Sequence, residues 1–177
     1  MERHTSGRPA TLRAIESALL RPPVTILIHG EAGIGKTHML AEAETLARNM
    51  GYRVLHGQAR DFGTGLAYAS LTDALGALHD DPAAGEPLRE LLAAIDEAAL
   101  GAAGSAPAVR TANLLERLPG RTLLAVDDLH LADDDTLGVL SYLPRRVRDL
   151  TVAGTARRLP AMDADLVVRL DPSRWTR

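Results

Sequence analysis

Apolar positions change period several times along the chain, and these changes divide it into alternating strands and helices. The β-branched run at 24–28 is typical of a strand buried on both faces, and further short strands are predicted at 52–56, 121–126, 150–154 and 165–170. Apolar residues spaced three or four apart predict helices near 9–21, 35–50, 66–79, 86–100, 107–118 and 134–147. This alternation predicts an α/β fold, a three-layer sandwich in which helices cover both faces of a parallel sheet of about five strands.

The predicted elements form one core with short flanking segments. At 177 residues the chain is long enough for one α/β domain and too short for two of ordinary size. We assign 24–170 to the core, 1–23 to an N-terminal segment with its helix, and 171–177 to a tail. Within the core, glycine, alanine and proline punctuate a helical insertion at 58–120, between the second and third strands.

A glycine-rich turn joins the first predicted strand to the second helix, and it satisfies the pattern G-x-x-x-x-G-K-[ST]. Its residues are Gly30, Glu31, Ala32, Gly33, Ile34, Gly35, Lys36 and Thr37. In such a loop backbone N–H groups and the start of the helix cradle a phosphate, the lysine reaches the β- and γ-phosphates, and the hydroxyl ligates Mg²⁺. The sequence therefore predicts a P-loop NTPase fold with ATP and Mg²⁺ as cofactors, and we include the next residue, His38, in the nucleotide-binding set. A glycine-rich turn with an incidental lysine is the alternative.

The position of the single lysine supports this assignment. Of the 20 basic residues 19 are arginine, and the one lysine, Lys36, stands where the loop pattern requires lysine.

The third predicted strand ends in two carboxylates, Asp127 and Asp128. This is the pattern of a Walker B strand, in which Asp127 would hold the Mg²⁺ shell and Asp128 would orient the attacking water as a catalytic residue. An acidic turn after a buried strand is the alternative. The nearby run 133–135 is interpreted differently, as an N-cap and first-turn acids of the following helix.

The fourth predicted strand ends in Gly154-Thr155-Ala156-Arg157. Its tip would place Thr155 or Arg157 near the γ-phosphate, where a hydroxyl or a guanidinium group distinguishes ATP from ADP. A surface arginine beside Arg158 is the alternative. His29 and His130 have no partners at metal-ligand spacing and are predicted to be non-ligands.

The amino-acid composition limits the kinds of partner that the chain is expected to bind. Aromatic residues make up 3% of the chain and the formal net charge is −3, which disfavours a stacking platform or a basic face for nucleic acid. There are no cysteines, and neither an apolar signal core nor a long apolar run is seen. We expect a cytoplasmic protein with no direct DNA contact and no membrane contact.

With these residues placed, the chain resembles the signal-transducing ATPases with numerous domains, in particular the AAA-type ATPase module of LuxR-type and MalT-like bacterial transcriptional regulators. The resemblance is carried by Gly7-Arg8, by 24–37, by 127–133 (Asp-Asp-Leu-His-Leu-Ala-Asp) and by 154–157. It implies a slowly hydrolysing, ATP-dependent switch that governs self-association or a protein partner. It also implies that Arg8 lies beside the adenine, although Pro9 stands where the family has an acidic residue.

The family continues beyond this core into a helical lid, a winged-helix region, a sensor and often a DNA-binding domain. Because the sequence ends at Arg177, we expect bound nucleotide to be more exposed than in those proteins. Two alternatives to an ATPase stay open: a module that binds nucleotide without turnover, and a small-molecule kinase that passes phosphate to a substrate hydroxyl. No guanine-specific Asn-Lys-x-Asp motif is present, which favours ATP over GTP.

Overall fold

The structure is a computed structural model that describes residues 8–60, 67–100 and 106–171. Its helices are α1 (Arg8–Leu19), α2 (Lys36–Asn49), α3 (Ala69–Leu75), α4 (Gly85–Ala99), α5 (Ala106–Arg117) and α6 (Asp134–Arg146). Its strands are β1 (Val24–His29), β2 (Arg53–Gln58), β3 (Thr122–Asp127), β4 (Leu150–Ala156) and β5 (Leu166–Arg169). Short 3₁₀ turns occupy Gly76–Leu78 and Leu129–Leu131.

The five strands form one parallel sheet in the order β2-β3-β4-β1-β5. The carboxyl ends meet at one edge, since His29 of β1 pairs with both Ala156 of β4 and Arg169 of β5. At the same edge Gln58 of β2 pairs with Asp127 of β3. This arrangement confirms the predicted P-loop NTPase-like α/β fold, and it places β4 between the strand that leads into the glycine-rich loop and the strand that ends in Asp127.

Alternate side chains of each strand enter two separate cores, one on each face of the sheet. Ile26 and Ile28 of β1 pack with Ile15 of α1 and with Met39 and Leu40 of α2. On the opposite face, Leu27 belongs to a larger core with residues of α3, α4, α5 and α6. Burial on both faces explains why the inner strands β1, β3 and β4 consist almost entirely of apolar residues and threonine, whereas the edge strands β2 and β5 alternate between buried and more exposed positions.

The observed boundaries differ from the predicted ones at several ends. The predicted helix 66–79 becomes α3 followed by a 3₁₀ turn, and residue 66 lies outside the described residues. Strand β4 runs two residues beyond the predicted end at Gly154, because its pairing with β1 continues to Ala156. Thr155 therefore lies inside a strand rather than at its tip, and it is fully buried.

None of the helices among the described residues is both long enough and apolar enough to cross a membrane.

Asp133 caps α6, as the sequence predicted. Its carboxylate accepts hydrogen bonds from the Thr136 backbone N (2.7 Å), the Thr136 hydroxyl (2.7 Å) and the Tyr68 backbone N (3.2 Å). We expect Asp133→Ala to lower the free energy of unfolding by about 1–2 kcal/mol, the usual cost of losing an N-cap. Urea denaturation measures the change. Asp135→Ala, which removes an exposed acid from the same first turn, serves as the control, and equal losses in the two variants would contradict the capping role.

Candidate functional site

The glycine-rich loop connects the end of β1 to the start of α2 with the backbone geometry of a phosphate cradle. Gly33 and Gly35 have φ angles of 74° and 96°, in the left-handed region that side chains with a Cβ rarely adopt. Gly35 is the residue that caps α2, so the first-turn amides beginning at Lys36 have no partner within the helix. These amides and the positive end of the helix dipole form an anion-binding site.

Lys36 is held in the loop rather than extended into solvent. It is 7% exposed, and its Nζ donates to the Glu31 carbonyl oxygen at 2.7 Å. An ammonium group has three donors, so this bond leaves two of them for a ligand seated above the loop.

Thr37 and Asp127, which are 90 residues apart in sequence, meet at hydrogen-bond distance. The Thr37 hydroxyl donates to Asp127 Oδ2 at 2.7 Å. A hydroxyl and a carboxylate are hard oxygen ligands of the kind that Mg²⁺ prefers. The described residues contain no group of three or more acidic, histidine or cysteine side chains suited to a metal. The pair therefore fits a Mg²⁺ ion that takes its remaining ligands from water and phosphate, as Mg²⁺ usually does.

Asp127 is buried and held by further bonds at its other oxygen. Oδ1 accepts the hydroxyl of Thr155 from β4 and, at 3.1 Å, the backbone N of Asp128. The Asp128 amide also donates to the Thr155 hydroxyl oxygen at 2.9 Å. Asp128 has a left-handed backbone (φ 56°), an uncommon conformation outside glycine that clusters at functional sites. Its side chain is 30% exposed, so it remains accessible to water.

His130 joins the ends of β3 and β4, a role that the sequence did not reveal. Its Nδ1 accepts from the Arg157 backbone N at 3.4 Å and lies 3.9 Å from Asp128 Oδ1. Burial lowers the pKa of His130; the charge of Asp128 opposes this, while those of Arg157 and Lys36 add to it. The His130 ring thus lies between the Asp128 carboxylate and the Arg157 backbone, so the acids at the end of β3 and the exposed Arg157 lie close together.

Arg8 lies on α1 against the first turns of α2. Its Nε donates to Glu42 Oε2 at 2.8 Å, its Nη2 lies 2.6 Å from Glu42 Oε1, and the same guanidinium contacts His38. The hydrogen bond between Arg8 and Glu42 lowers the pKa of the Glu42 carboxyl group and raises the pKa of the Arg8 guanidinium group. The structure thus brings Arg8 and His38 together just beyond the loop, with Glu42 as a partner that the sequence prediction missed. Gly7, the other residue of that motif, lies outside the described residues.

A sequence profile of the AAA ATPase domain matches residues 6–153 of the chain. No curated protein matches it.

Similar solved structures include a signal transduction ATPase with numerous domains and a tetratricopeptide repeat sensor, from Pyrococcus horikoshii (TM-score 0.57, 22% identity, 95% of this chain). Cdc6p from Pyrobaculum aerophilum has a TM-score of 0.54, 19% identity and coverage of 96% of this chain. A DNA replication initiation factor has a TM-score of 0.51, 16% identity and coverage of 93%. The chain spans 24% of the first protein and 46% of each of the other two. At these identities the likeness supports the fold.

Proposed function

The chain belongs to the AAA ATPase domain family, and from this premise we propose that it binds Mg-ATP at the loop 30–37 and hydrolyses it slowly, as a regulatory switch. The observation that carries the proposal is the hydrogen bond from Thr37 to Asp127. It joins the start of the helix after the loop to the end of strand β3, so that a hydroxyl and a carboxylate, both oxygen ligands suited to Mg²⁺, lie side by side next to the loop. ADP and phosphate are the products.

Each residue of the site has a role in this proposal. The backbone of 30–37 and the start of α2, including His38, surround the phosphates, and Lys36 neutralises their charge. Thr37 and Asp127 hold the Mg²⁺, which supplies charge stabilisation when bound. Asp128 orients the attacking water, Arg157 pairs with the γ-phosphate, and Arg8 lies beside the adenine. Thr155 lies behind this group, at the end of β4, where its hydroxyl bonds to Asp127.

We propose further that nucleotide state is read out through a protein partner or self-association. The sequence resemblance to LuxR-type and MalT-like bacterial regulators supports a role in signalling, as does the structural likeness to a signal transduction ATPase with a repeat sensor. In this proposal the 24–170 core is the nucleotide domain, and DNA contact belongs to other chains or domains.

Steady-state phosphate release tests the hydrolytic step. We expect Asp128→Asn to reduce release by at least about a hundredfold, the usual contribution of a positioned base, while ATP affinity changes little. Asp134→Asn, an exposed acid in the first turn of α6, is the control and is expected to retain the wild-type rate. Equal rates in wild type and Asp128→Asn would refute the role of Asp128.

The same assay separates hydrolysis from binding without turnover. A chain that binds ATP tightly but releases no phosphate is a binding-only module, which the 30% exposure of Asp128 makes a real alternative because an open site stabilises the reaction less well. A kinase would instead pass phosphate to an added substrate hydroxyl, so ATP turnover that requires such an acceptor would identify that alternative.

A further inference from the structure

We propose that Thr155 is a positioning residue that acts through Asp127, and not a direct reader of the γ-phosphate. The inference rests on the proposed function, since it concerns how the Mg²⁺ ligand is held. It follows from the hydrogen bonds that Thr155 makes in the interior of β4.

The Thr155 hydroxyl already makes hydrogen bonds within the protein, one as a donor and one as an acceptor. The residue is 0% exposed, its O–H donates to Asp127 Oδ1, and its oxygen accepts the Asp128 amide at 2.9 Å. A hydroxyl has one donor, and phosphate oxygens at neutral pH act as acceptors. Thr155 therefore has no proton left to offer a γ-phosphate, and among the residues predicted at this strand end the contact falls to Arg157, which is exposed.

The same bonds fix the orientation of the Asp127 carboxylate. With Oδ1 held by Thr155, Oδ2 faces the Thr37 hydroxyl at 2.7 Å. Because Thr37 donates its proton to Asp127, its oxygen lone pairs are free for a metal. These hydrogen bonds, which run from β4 through β3 to α2, thus orient both the Asp127 carboxylate and the Thr37 hydroxyl before a metal binds. They can form because β4 lies between β1 and β3.

This role predicts that Thr155 controls the Mg²⁺ dependence of ATP binding rather than ATP binding itself. We compare ATP affinity with Mg²⁺ and with EDTA by calorimetry for wild type, Thr155→Val and Thr155→Ser. Valine keeps the branched shape without the hydroxyl, and serine keeps the hydroxyl. The increase in ATP affinity on adding Mg²⁺ is expected to be about tenfold smaller in Thr155→Val than in wild type, which corresponds to the loss of one hydrogen bond to a charged group. Affinity in EDTA should stay within about twofold of wild type, and serine should restore the gain.

Three results would overturn the proposal: an unchanged Mg²⁺ gain in Thr155→Val, an equal loss with and without Mg²⁺, or serine behaving like valine. If the valine variant does not fold, Thr155→Ala takes its place. The wild-type chain is the separate check on the proposed function. If wild type does not bind ATP, the proposed function is refuted, and the role of Thr155 is then tested without nucleotide.

The nucleotide-free test is a double-variant cycle of urea unfolding with Thr155→Val and Asp127→Ala, each of which removes one partner of the hydrogen bond. If the two residues share one hydrogen bond, their effects on the unfolding constant are non-additive by about tenfold. Additive effects would overturn the inference even if no nucleotide binds.

Discussion

Lys36→Ala is expected to weaken ATP binding by at least about a hundredfold, equivalent to about 2.7 kcal/mol. Lys36 is the only lysine of the chain and is 7% exposed, so the charge it brings to the loop is partly shielded from water. Charge-assisted hydrogen bonds to phosphate contribute about 1.5–3 kcal/mol each, and two Nζ donors remain for the ligand. No other lysine is available to replace it.

Calorimetric titration of the variant with Mg-ATP measures the loss. Arg48→Ala is the matched control, because it removes a cation from the same helix α2 at its far end, where Arg48 pairs with Glu44 at 3.3 Å. The control is expected to bind ATP within about twofold of wild type. If Lys36→Ala bound ATP as tightly as the control, the loop would not be the phosphate site.

Gly57→Ala is expected to destabilise the fold by about 2–3 kcal/mol, the upper range for overpacking a core. Gly57 lies in β2 under α3, and an added Cβ would overlap the backbone carbonyl oxygen of Ser70 and lie 2.9 Å from the Ala74 Cβ. Because the nearest obstruction is main chain, relief requires α3 to move away from the sheet. That movement would open the core that contains Leu71 and Leu75.

Urea denaturation of both the variant and a control measures this cost. Gly76→Ala is the control, since a Cβ at Gly76 meets nothing within 4 Å and the residue starts a short 3₁₀ turn after α3. We expect the control to be neutral or slightly stabilising. A Gly57→Ala midpoint within error of Gly76→Ala would show that β2 and α3 are not packed as described.

The elements that the sequence predicts well are those with strong local signals. The inner strands β1, β3 and β4 are apolar runs because both of their faces are covered, and Gly33 and Gly35 mark a loop that needs left-handed backbone. The meeting of Thr37 and Asp127 was also predictable, because the carboxyl ends of all strands in a parallel sheet share one edge. The N-cap at Asp133 follows from the run of acids before an apolar helix.

The contacts that the sequence could not predict depend on strand order and register. The sequence pattern predicts a fourth strand that ends at Gly154 with Thr155 at its tip, whereas pairing with β1 extends β4 by two residues and buries Thr155. The His130 ring reaches the Arg157 amide, 27 residues away, only because β3 and β4 are adjacent. The bond between Arg8 and Glu42, 34 residues apart, likewise depends on how α1 packs on α2. No local sequence pattern predicts any of these contacts.

The assignment of 30–37 as a nucleotide site is tested by titrating the purified chain with ATP, ADP and GTP, each with and without Mg²⁺. We expect ATP and ADP to bind, Mg²⁺ to strengthen ATP binding through Thr37 and Asp127, and GTP to bind more weakly. Failure of all three nucleotides to bind, with or without Mg²⁺, would contradict the assignment of 30–37 as a phosphate site.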